Sequence, residues 1–116
     1  AKRVWFDCAL FVPARRDPRV AARLEEKTDD YPALDWRGED PHEPRPKLNP
    51  LLPEITVPTT VVVGDLEVPG FVAMADALAS RIPGARKIVV PDAGHMCNME
   101  VPAGVNDIRR DVIAPA

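Results

Sequence analysis

Thr59-Thr60-Val61-Val62-Val63-Gly64-Asp65-Leu66-Glu67, followed by Lys87-Ile88-Val89-Val90-Pro91-Asp92-Ala93-Gly94-His95, is the stretch on which the reading of this chain turns. The first run is β-branched without polar alternation, as expected of a strand covered on both faces in a parallel sheet, and Gly64 ends it. The second, residues 87–90, is another short apolar strand. Between them Phe71, Met74 or Ala75, Leu78 and Ile82 recur at helical spacing, which predicts a helix over 71–82 closed by Pro83-Gly84. Strand, helix and strand make a βαβ unit, so the fold class is α/β with a parallel sheet. Val101, Val105, Ile108 and Val112 add a last amphipathic helix, giving βαβα. Two strands and two helices leave sheet faces and edges uncovered, so the unit is expected to be incomplete by itself.

Upstream, Asp17-Pro18 supplies an N-cap and a proline at the first helical position. Val20, Leu24, Thr28 and Tyr31 continue at near-helical spacing, predicting a helix over 18–29. Six prolines between Pro41 and Pro58 fix φ and remove backbone donors, so this stretch reads as an extended connector. The chain therefore divides into an N-terminal segment with its Pro-rich connector, residues 1–48, and a C-terminal α/β unit, residues 49–116.

Bulk composition narrows the partners. With 46% apolar residues in 116, the chain is too hydrophobic for intrinsic disorder, yet it holds no unbroken run long enough to span a membrane. Fifteen Lys and Arg scattered among eighteen Asp and Glu, a net charge of -3, offer no basic face for a phosphate backbone, so no nucleic acid is expected. Cys8 and Cys97 are too few for a disulfide framework and read as free thiols of a cytoplasmic protein. Lys2-Arg3 before Val4-Trp5-Phe6 imitates a signal peptide, but Asp7 interrupts the apolar run and no cleavage site follows. The glycines form no nucleotide-binding loop, and His42 and His95 stand in no metal-ligand spacing, so neither cofactor nor metal is expected.

In open parallel sheets, reactive groups gather beyond the carboxyl ends of the strands. Residues 64–69 and 91–95 both emerge there, which lets an acid of the first loop reach the imidazole of His95. A carboxylate on Nδ1 fixes the tautomer so that Nε2 can take a proton. Asp65 and Glu67 are both candidates for that carboxylate.

These residues, with Val57-Pro58 ahead, Ile82-Pro83-Gly84-Ala85 between them and Glu100-Val101-Pro102 behind, resemble the C-terminal end of the α/β-hydrolase fold over residues 55–114. In that family the strand ending in G-x-x-D carries the catalytic acid, and A-G-H after the last strand carries the catalytic histidine. The resemblance implies that His95 is that histidine and Glu67 the acid, with Asp65 as the alternative, since the family more often has Asp at the position of Glu67. It implies that residues 1–48 form a helical cap, with Trp5, Phe6, Phe11 and Trp36 lining or covering a pocket for an apolar, ester-like substrate. The nucleophile elbow G-x-S-x-G is missing. Ser80, the one serine, lies near the end of the 71–82 helix, and Cys97 is better explained by packing than as a thiolate. The expected function is hence the C-terminal portion of an ester- or lactone-cleaving Ser-His-acid hydrolase, inactive alone for want of its nucleophile half. The rival is a truncated, non-catalytic interaction protein that pairs through its unfinished sheet, with itself or with a missing N-terminal half.

Overall fold

A computed structural model describes residues 2–32, 38 and 49–114. In chain order these form helix α1 (Lys2–Phe6), two 3-10 turns (Ala9–Phe11 and Ala14–Arg16), helix α2 (Pro18–Asp30), a 3-10 helix (Asn49–Glu54), strand β1 (Thr60–Gly64), helix α3 (Pro69–Arg81), strand β2 (Arg86–Val90), and helices α4 (Cys97–Glu100) and α5 (Pro102–Ile113). Helix and strand mix around a small parallel sheet, an α/β fold.

β1 and β2 lie parallel, with Thr60 opposite Arg86 and Gly64 opposite Val90. A parallel pair needs a crossover, and α3 provides it while packing on both strands. Pro69 opens α3 at a position where its missing N–H costs nothing, and after Arg81 the chain turns through Gly84 at a φ of 71°. Val63 and Val90 are buried, but Val62 and Val89 keep 36% and 49% of their surface exposed. The expectation of strands covered on both faces is therefore corrected, because among the described residues α3 is the helix packed against this sheet and one helix cannot cover two faces. α5 buries none of its residues and rests on α4.

The N-terminal segment builds the larger buried cluster. Asp17 caps α2, its Oδ1 accepting the Arg19 backbone N–H at 2.8 Å, and the Arg19 side chain holds this carboxyl below its usual range. α2 turns Val20, Leu24 and Thr28 inward, and the Thr28 hydroxyl donates to the Leu24 carbonyl at 2.8 Å, so this buried polar side chain is satisfied. Phe6, Phe11 and Ala14 complete the cluster, and Met96 and Met99 pack against it from the other end of the sequence. The N-terminal segment is thereby joined to the segment that follows His95.

Two glycines permit the close approaches on which this arrangement rests. A Cβ on Gly64 would overlap the Ala93 carbonyl, and one on Gly94 would lie 2.6 Å from Cγ of Pro13. Gly64→Ala is accordingly expected to lower stability by about 1–3 kcal/mol or more, through forced displacement of the 91–94 backbone. Leu24→Ala, at a site only 3% exposed, should cost about 2–5 kcal/mol. Urea titration followed by circular dichroism measures both, and a midpoint unchanged in either variant would contradict the packing described.

Candidate functional site

The loops leaving β1 and β2 are stitched to one another before any side-chain chemistry is considered. The Asp65 N–H donates to the Val90 carbonyl at 3.0 Å, and the Leu66 N–H donates to the Ala93 carbonyl at 2.9 Å. The Asp65 carboxylate returns the connection by accepting the Ala93 N–H at 3.2 Å. This loop-to-loop work occupies Asp65, whereas Glu67 is brought to the imidazole.

Glu67 Oε2 lies 2.7 Å from Nδ1 of His95, and Oε1 accepts the Val68 backbone N–H at 2.8 Å. The Glu67 side chain is only 7% exposed and the His95 side chain 30%. An ionised carboxylate can only accept, so with Glu67 ionised Nδ1 carries the proton and Nε2 keeps its lone pair. Such a ring can accept a proton at Nε2 and share the resulting positive charge with a buried carboxylate.

Two rings frame the imidazole, Phe71 at 4.6 Å between centroids and Phe11 at 6.5 Å. Phe71 stands in the first turn of α3, immediately after the loop that carries Glu67. The helical spacing of the sequence marked Phe71 as an apolar position, but only the path of that loop brings it to His95. A cleft of about 220 Å³ opens here, lined by Glu67 and His95 and by Val61, Val63, Phe71, Met74, Leu78 and Cys97. A wider groove of about 830 Å³, bordered by Arg19, Arg23 and Lys27 of α2 and by Met96 and Met99, does not include His95.

The aromatic residues expected around a substrate are placed as follows. Phe6 is buried in the N-terminal cluster beneath the guanidinium groups of Arg3 and Arg15, 5.2 and 5.4 Å from its ring centre. Trp5 packs edge-on against Phe11 at 5.3 Å and so stands one ring away from His95. Trp36 and His42 lie outside the described residues. Ser80 is exposed near the end of α3 and donates its hydroxyl to the Ala77 carbonyl at 3.1 Å, which gives it the geometry of a helix-surface serine. Cys8 and Cys97 are free thiols. Among the described residues no three or more His, Cys, Asp or Glu side chains are grouped to hold a metal ion, and no helix is long and apolar enough to cross a membrane.

No family profile matches the chain, and no curated protein does. A solved structure described as "Est816 as an N-Acyl homoserine lactone degrading enzyme" superimposes with a TM-score of 0.72 at 25% identity, over 91% of this chain. This chain spans 44% of the length of that one. That neighbour is a lactone-degrading enzyme, and the likeness supports an α/β fold for this chain.

Cys97 allows a check on the environment of the cleft. Burial pushes its thiol above the ordinary value of 9.0, and the Glu100 and Glu67 carboxylates add smaller effects in the same direction. Its alkylation by iodoacetamide at pH 9, measured in a Cys8→Ser background, should be slower than that of an unstructured cysteine peptide. A folded-state value raised above the unfolded one gives a stability contribution that is complete below pH 9 and is lost as pH rises through the folded value. Cys97→Ala should remove that part of the alkaline loss, and an alkylation rate equal to the peptide's would contradict the burial.

Proposed function

We propose that this chain is the C-terminal portion of an α/β-hydrolase that cleaves esters or lactones by a Ser-His-acid triad, supplying the histidine and the acid. The observation that carries this is the 2.7 Å contact between Glu67 and Nδ1 of His95 on neighbouring loops at the carboxyl ends of two parallel strands. Spacing in sequence, the A-G-H motif and the likeness to a lactone-degrading enzyme support the same reading. Residues 1–48 serve as the cap and residues 49–116 as the end of the catalytic core.

In this reading the serine belongs to a nucleophile elbow outside these 116 residues. His95 Nε2 removes the serine proton as its oxygen attacks the carbonyl carbon, and Glu67 stabilises the imidazolium. The same proton then passes to the departing alkoxide, which in a lactone stays tethered to the acyl group. Water next attacks the acyl-enzyme, giving its proton to His95, and the proton returns to the serine as the acid product leaves. Phe11 and Phe71, beside the imidazole, form the apolar wall against which an acyl chain rests.

A second reading is favoured by the exposed apolar surface around the sheet. Val62, Phe71 and Met74 are 36%, 37% and 54% exposed, and among the described residues the outer edge of β1 pairs with no other strand. Such an edge recruits a partner strand, either from a missing N-terminal half or from a second copy of the chain.

Three experiments separate these readings. The 116-residue chain alone should hydrolyse p-nitrophenyl acetate at the background rate. Grafting residues 55–114 in place of the matching part of the lactonase neighbour should yield an active chimera. There His95→Ala should lower kcat by on the order of 10⁴-fold or more. A folded chimera indifferent to the loss of His95 would sink the catalytic reading. Sedimentation of the isolated chain tests pairing, and a cooperatively folded monomer at all concentrations would exclude self-association.

A further inference from the structure

The residue that seats His95 is not one of the pair just described. Glu100, the last residue of α4, reaches back over one helical turn with both carboxylate oxygens. Oε2 accepts the Gly94 N–H at 2.8 Å and Oε1 accepts the Met96 N–H at 3.0 Å. These amides flank His95 on either side, so one side chain grips the backbone on both sides of the imidazole's own Cα. The Glu100 N–H in turn donates to the Met96 carbonyl at 2.9 Å, so the bracket is anchored at both of its ends.

We propose that Glu100 is a positioning residue for His95, whose carboxylate fixes the 94–96 backbone and thereby holds Nδ1 within bonding distance of Glu67. The catalytic meaning of this rests on the hydrolase reading, but the geometry does not. The chemistry of the side chain is specific. Two N–H groups converge on one carboxylate, and both bonds are charge-assisted. Glutamine has a single carbonyl oxygen and would direct its NH₂ at the other amide, so it can satisfy one N–H and opposes the second. Alanine satisfies neither. Position 94 has no room for a side chain of its own, because Pro13 already occupies the space where a Cβ would stand. Without the Glu100 carboxylate, the Gly94 and Met96 amides lose their acceptor, and among the described residues the 94–96 backbone keeps only the hydrogen bonds that the Met99 and Glu100 N–H groups donate to the Met96 carbonyl, with the packing of Pro13 against Gly94 and of Met96 against the N-terminal cluster.

Nuclear magnetic resonance on the 116-residue chain tests the proposal without any appeal to activity. In a His42→Gln background the remaining imidazole signals belong to His95. The wild type should show a single Nδ1–H tautomer with a far-downfield proton bonded to Glu67. Glu100→Ala should give averaged tautomers and speed hydrogen exchange at the Gly94 and Met96 amides by roughly 10- to 100-fold, while exchange within α2 stays the same. Glu100→Gln should fall between the two, and it decides the matter if the alanine variant does not fold. A folded variant that keeps both the fixed tautomer and the slow exchange would overturn the role of Glu100. Absence of the downfield proton in the wild type would instead overturn the Glu67–His95 pairing and this proposal with it, so the two failures are distinguishable.

Discussion

Everything at the site depends on how closely two loop backbones approach at the ends of β1 and β2. Gly64 lies against the carbonyl of Ala93, and this contact sets the distance across which the Leu66 and Asp65 hydrogen bonds act. With that gap closed, a side chain three residues beyond Gly64 and another two residues beyond Ala93 meet without either loop being stretched. The acid and the base are therefore positioned by backbone geometry first and by their own hydrogen bond second. Taking the buried Glu67 carboxylate out of water is offset by its contacts with the Val68 N–H and the imidazole, so the pair is satisfied as a unit.

Much of this was legible from residue order. Val61 to Val63 and Ile88 to Val90 could hardly be anything but strands, and Asp17-Pro18 marked the start of α2 where the structure has it. The strand and helix limits moved by no more than about two residues, as expected where ends are set by local hydrogen bonds. Which of Asp65 and Glu67 faces His95 could not be read in advance. Both are acids of the same loop, and the choice is made by the Ala93 amide, a partner 28 positions away that claims Asp65.

Other features were hidden because they depend on contacts that have no local signature. Glu100 looked like one more acid in a motif, since the amides it binds belong to backbone groups whose residue types say nothing about their needs. Phe6 and Trp5 carry the composition of a substrate wall, and nothing local in the sequence announces that Phe6 is buried beneath two guanidinium groups or that the half-buried Trp5 packs edge-on against Phe11. Among the described residues, Phe11, between the N-terminal cluster and His95, is the ring of the N-terminal segment that reaches the imidazole.

The seat of Met96 and Met99 on the N-terminal cluster has a consequence for how such a protein can change over time. Unbranched thioether side chains refit to altered neighbours with little loss, so a joint made of methionine tolerates drift on the surface it touches. Substitutions in the cluster around Phe11, Val20 and Leu24 can be absorbed at this joint before they displace the turn that carries the imidazole. The latitude ends at Pro13 and Phe11, which touch Gly94 and the imidazole directly and have no thioether between them and the site.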